Sequence, residues 1–128
     1  MLKVTKFGGS SMASADQYRK VRDIVLSDPD RRVVVVSAAG KRDKHDHKIT
    51  DLLYLCYAHT RYGVDCGQVF DMITSRYLEI RDELGIKLDL ETEFADLKTR
   101  LDEKSVTQDE LVSRGEYFSA KLMAAYLD

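Results

Sequence analysis

The chain contains no tryptophan, a single proline and only two cysteines, Cys56 and Cys66, among its 128 residues. Two unpatterned cysteines exclude a disulfide framework, and the N-terminus lacks the charged-then-apolar order of a secretion signal, so a reducing, cytoplasmic setting is expected. The lone Pro29 argues against a long linker, and no repeat or low-complexity segment interrupts the chain. Basic excess is also missing: 20 Lys and Arg against 22 Asp and Glu give a formal net charge of -2, without the footprint that nucleic acid requires. No apolar run approaches a membrane span. The longest, Val33 to Val36 with its flanks, fits a strand, so no membrane partner is expected.

What is present is enough for one domain with a real core, at 44% hydrophobic and 33% charged residues. The organising stretch runs from Lys3 to Ser11, where apolar and polar residues alternate up to Phe7 and then meet Gly8-Gly9-Ser10-Ser11. That pattern is a half-buried strand ending in a tight, phosphate-sized turn. Two glycines let successive backbone N–H groups converge on an anion, Lys6 adds a mobile positive charge, and the helix that follows is expected to aim its N-terminus at the same place. A strand connector and a solvated lysine are the plain alternatives. Neither the Walker-type phosphate loop nor the dinucleotide fingerprint is present.

Downstream, Ser14 to Gln17 has capping-box spacing, and Tyr18, Val21, Ile24 and Val25 predict a helix from about Ala15 to Ser27, ended by Asp28-Pro29-Asp30. Val33 to Val36 has the pattern of a central parallel strand covered on both faces, which makes the start of the chain a right-handed β-α-β unit. Lys41 to Lys48 is polar and reads as an exposed loop. Thr50 suits an N-cap, with Leu52, Leu53, Leu55 and Cys56 as the apolar face of the next helix. Further helices are expected with Val69, Met72, Ile73, Tyr77, Ile80 and Leu84 on one side, then with a Leu90-Phe94-Leu97-Leu101 stripe, then from Gln108 onwards behind the Thr107-Glu110 capping box.

Four blocks together are more specific than any one of them: K-F-G-G-S-S at 6 to 11, V-V-V-V-S-A-A-G at 33 to 40, I-T-D-L-L at 49 to 53 and S-R-G-E-Y-F-S-A-K-L at 113 to 122. In this order they resemble the N-terminal part of aspartate kinases, in the amino-acid kinase superfamily. The resemblance implies a three-layer αβα amino-acid kinase fold with a mainly parallel sheet, present here only as its N-terminal, helix-rich portion. It also implies transfer of the γ-phosphoryl group of ATP to the β-carboxylate of L-aspartate, giving 4-phospho-L-aspartate on the route to lysine, threonine and methionine. Mg²⁺ is expected to be held through the phosphates rather than by protein ligands, and a homo-oligomer is expected for the full-length parent.

On the same resemblance, Lys6 is catalytic and contacts the phosphates with Gly8, Gly9 and Ser10. Thr50 and Glu116 bind the amino acid, Glu116 through the α-amino group; Ser37 is a further substrate-site candidate from its place alone, at the second strand's carboxyl end, where ligands of open α/β sheets collect. The plain alternatives are a cap for Thr50 and a solvated surface acid for Glu116. His45 and His47 read as solvated, and the cysteines as small buried residues. Two strands with about five helices make too little sheet for an α/β domain, so residues 1–128 are expected to be part of a longer catalytic domain, inactive alone, whose base pocket and ACT-type regulatory domains lie elsewhere. An acetylglutamate or glutamate kinase, or a non-catalytic phosphate-binding or assembly module, is the alternative.

Overall fold

The strand spanning Lys3–Phe7 (β1) pairs in parallel with Arg31–Val36 (β2), with Val4 opposite Val33, Lys6 opposite Val35 and Phe7 opposite Val36. This is a computed structural model describing residues 1–128. Between the strands, a 3₁₀ turn at Gly9–Met12 leads into the helix Ala15–Leu26 (α1). Ser14 caps α1 by accepting a hydrogen bond at Oγ from the Gln17 N–H at 3.4 Å. Ala15, Tyr18, Val21 and Val25 form its buried stripe, whereas Ile24 faces outward.

Four more helices follow: Ile49–Arg61 (α2), Gly67–Glu83 (α3), Glu91–Asp102 (α4) and Gln108–Leu127 (α5). Gly63 and Gly85, at φ 74° and 67°, supply the left-handed residues beyond the ends of α2 and α3. The Thr107–Glu110 capping box opens α5 with both of its reciprocal hydrogen bonds made. The core is continuous from Phe7 and Met12 through Ile49, Leu53, Ile73 and Tyr77 to Leu111, Phe118 and Leu122. Phe118 is its aromatic centre, with Phe94 edge-on at 4.8 Å and Tyr77 tilted at 5.9 Å, each pair adding about 0.5–1.5 kcal/mol beyond area burial.

Three local expectations are corrected. Thr50 is not the N-cap of α2: that place is held by extended Lys48, without a side-chain cap, and Thr50 lies inside the first turn. Leu55 and Met72 are exposed, because the buried stripes follow Ile49-Leu52-Leu53-Cys56 and Phe70-Ile73-Arg76-Tyr77-Ile80 at helical spacing. β2 is covered on one face only. Val34 and Val36 pack against the core, while Val33 and Val35 are each 42% exposed beside Val4 at 65%. α1 begins at Ala15, as the spacing predicts, and the groups that directly follow β1 are those of the 3₁₀ turn.

Candidate functional site

Four segments far apart in sequence enclose one cleft of ≈ 510 Å³: the turn after β1 (Gly9, Ser10), the loop after β2 (Ser37 to Lys41), the start of α2 (Lys48, Thr50) and α5 (Glu116). It lies at the carboxyl end of the parallel strands, where open α/β sheets collect ligands. Backbone contacts assemble it. The Gly40 N–H donates to the Gly9 carbonyl at 2.8 Å, and the Ile49 N–H donates to the Ala39 carbonyl at 2.9 Å. A Cβ on Gly40 would stand 2.6 Å from the Gly9 carbonyl carbon, so only glycine admits this approach of the two turns.

α5 is brought in by the same device. A Cβ on Gly115 would meet the Ala38 Cβ at 2.7 Å, and the bare Gly115 lets the helix press on the loop and carry its neighbour Glu116 to the cleft. The buried Tyr77 hydroxyl ties these parts together. It donates to the Gly115 carbonyl at 2.7 Å, accepts from the Ala39 N–H at 3.3 Å and lies 3.2 Å from Ser119 Oγ. Burial pushes its pKa up, so it is a neutral phenol serving as a fixed donor. Replacing Tyr77 by phenylalanine is expected to cost about 1–3 kcal/mol, read by urea denaturation, because it leaves the Ala39 N–H without its partner in the interior and removes the bond to the Gly115 carbonyl.

The open donors of the cleft are backbone groups. At the start of the 3₁₀ turn the N–H groups of Gly9 and Ser10 have no acceptor within the turn, and no side chain caps them. At the start of α2 the N–H groups of Thr50 and Asp51 are in the same position, since Ile49 is already bonded to Ala39 and no side chain caps the helix. Lys41 and Lys48 add positive charge and Glu116 adds negative charge. The arrangement suits a zwitterion with a spare carboxylate next to a phosphate chain: anion-binding amides at two points, with a carboxylate opposite for an ammonium group.

Among the sequence-derived candidates, Gly9, Ser10, Ser37, Thr50 and Glu116 thus line one space. Lys6 and Gly8 are not among its walls. Lys6 is exposed on the bare face of the sheet, on the same side as Val4, Val33 and Val35, and Gly8 lies in open, extended backbone where an added Cβ would meet nothing within 4 Å. Lys41 and Lys48 lie in the cleft though sequence reasoning left them in a solvated loop; the signal for Lys48 was its place directly before Ile49-Thr50. Cys56 and Cys66 are buried free thiols, and burial pushes Cys56 up to about 12, which removes it as a nucleophile. No group of three or more His, Cys, Asp or Glu residues has the arrangement of a metal site, and His45 and His47 are exposed.

The amino acid kinase family matches the chain over residues 1–128. The chain belongs to the amino acid kinase family. Within it, aspartokinase 3 of Bacillus subtilis is 41% identical over 130 residues, covering 98% of this chain and 29% of the relative. The Clostridium acetobutylicum aspartate kinase structure superimposes with a TM-score of 0.93 at 44% identity, over 98% of this chain and 29% of that one. Escherichia coli aspartokinase III in its complex with aspartate and ADP gives a TM-score of 0.77 at 28% identity, over 99% and 29% respectively. The chain therefore spans less than a third of the length of these relatives. Its two strands and five helices are a partial, N-terminal piece of the aspartate kinase fold. None of its helices is long and apolar enough to cross a membrane.

Proposed function

We propose that this chain supplies the phosphate turn and the amino-acid subsite of an ATP-dependent aspartate kinase, acting as the N-terminal portion of the catalytic domain. The observation that carries the reading is the convergence of Gly9, Ser10, Ser37, Thr50 and Glu116 on one cleft, in a chain that superimposes closely on an aspartate kinase. In this reading the amides of Gly8, Gly9 and Ser10 hold phosphate oxygens, and Lys6 at the strand end neutralises charge building on the transferred phosphoryl group. Thr50, at the N-terminal end of α2, hydrogen-bonds the amino acid, Ser37 adds a hydroxyl at the strand end, and Glu116 pairs with the α-ammonium group.

The residues fit a nucleotide phosphate, because the amides at Gly9 and Ser10 are open and Gly8 leaves room beside them. Mg²⁺ held through the phosphates would screen their charge. Fixing the ammonium on Glu116 leaves the side-chain carboxylate of aspartate free to reach the phosphate turn, the alignment that acyl-phosphate formation needs. Two buried, free cysteines agree with a reducing cytoplasmic location, and a homo-oligomeric parent belongs to the same reading.

The test is hydroxylamine trapping of ATP-dependent acyl phosphate by the enzyme that carries this sequence, with aspartate, glutamate and N-acetylglutamate as acceptors. Aspartate is expected to be the substrate used. Glu116→Gln is expected to raise the KM for aspartate about 10- to 100-fold, the range for losing one charge-assisted hydrogen bond, with a smaller change in kcat. An unchanged KM would remove Glu116 from the amino-acid subsite, and preference for the acetylated acceptor would reassign the substrate.

A further inference from the structure

Directly behind the cleft, α3 places a cation inside the protein. Arg76 is only 5% exposed, on the same stripe as Ile73 and Ile80. Both terminal nitrogens of its guanidinium are engaged with backbone and one acid. Nη1 donates to the Gly40 carbonyl at 2.7 Å and the Ala13 carbonyl at 3.4 Å, and Nη2 donates to Asp46 Oδ2 at 2.6 Å and the His47 carbonyl at 3.2 Å. Asp46 is itself nearly buried, and it also accepts from the Arg42 backbone N–H at 2.9 Å and from Arg42 Nε at 2.7 Å. Chiefly because of the Arg42 hydrogen bond, its carboxyl is held well below the usual carboxylate range.

These contacts fall on three segments that build the cleft. Ala13 follows the 3₁₀ turn, Gly40 abuts Gly9, and His47 precedes Lys48, where α2 is entered. A buried ion pair is a poor device for stability, since apolar residues of similar volume often stabilise as well or better. What a planar, five-donor guanidinium adds is direction: it sets several carbonyls at fixed angles about one point.

We infer that Arg76 and Asp46 are positioning residues of the cleft, holding the Lys41 to Lys48 loop and the Gly40 turn so that Lys48 and Thr50 face the same space as Glu116. The inference rests on the reading of that cleft as the amino-acid subsite. Neither side chain is among the groups proposed to touch substrate. They act through the backbone they hold.

The experiment compares Arg76→Met, Asp46→Asn and the double variant Arg76→Met with Asp46→Leu, in the enzyme that carries this sequence. Each single variant is expected to raise the KM for aspartate at least tenfold, with less than a threefold change in kcat. The double variant is expected to regain the thermal stability that the single variants lose while its KM stays raised, which a merely structural pair would not do. A double variant with wild-type KM, or single variants that lose stability with KM unchanged, would overturn the inference. If the wild-type enzyme forms no acyl phosphate with any acceptor, the functional reading fails instead. Amide hydrogen exchange then decides the positioning role: at Gly40 and Ile49 it is expected to quicken at least tenfold in Arg76→Met relative to wild type, and equal rates would overturn the role.

Discussion

Gly40→Ala is expected to be the most damaging small substitution in this chain, lowering stability by about 3 kcal/mol and the melting temperature by roughly 10 °C. The new methyl group would lie 2.6 Å from the Gly9 carbonyl carbon, 2.8 Å from its oxygen and 2.9 Å from the Ser10 nitrogen. All three are backbone atoms, so no side chain can rotate out of the way. Relief comes only by parting the two turns, which breaks the 2.8 Å hydrogen bond from Gly40 to Gly9 and shifts the amides of the proposed phosphate turn. Gly8→Ala is the matched control, because its Cβ would meet nothing within 4 Å. Its effect on stability is expected to stay within about 0.5 kcal/mol. Urea denaturation of both variants checks the contrast, and equal losses would show that the Gly9–Gly40 contact is not what holds the cleft together.

Lys6→Ala is expected to lower kcat of the enzyme carrying this sequence by about 10²- to 10³-fold, while the KM for aspartate changes by less than about threefold. Phosphoryl transfer to a carboxylate brings two anions together, and a cation that meets the charge only as it develops accelerates the step without tightening ground-state binding. Lys6 is exposed on the open face of the sheet, whereas its neighbour on the strand, Lys3, is tied to Asp28 at 2.5 Å. Removing an exposed side chain is expected to leave folding within about 0.5 kcal/mol of wild type, so a fall in rate reads as lost chemistry. Steady-state kinetics decide it. A kcat that stays within threefold of wild type would take Lys6 out of the reaction.

The helices were legible in the sequence because their signals are local. Ser14 at the start of α1, the Thr107–Glu110 box at the start of α5 and Gly63 and Gly85 past the ends of α2 and α3 all act within a turn of where they stand. Thr50, Ser37 and Glu116 could be picked out from motif blocks, and the fold brings them to one cleft. Arg76 could not, since its partner Asp46 stands 30 positions away and a cation on an apolar stripe carries no local signature of what it will bind. The valine run of β2 shows the same limit. β-branched residues report a preference for pleated, buried surroundings, but the count of covered faces depends on which elements pack there, and here the helices gather on the side of Val34 and Val36. Thr50 was misread as a cap because a hydroxyl near a helix start looks alike at either position, and only the extended backbone of Lys48 distinguishes them.

The open side of the two-stranded ladder carries its own safeguard. Val4, Val33 and Val35 alone would make an adhesive surface on which ladders from separate molecules stack. Lys6 stands among them, opposite Val35 in the ladder, so two copies meeting through this side bring their lysines together. In this piece of the fold, the lysine proposed to meet phosphate thus also discourages one ladder from stacking on another.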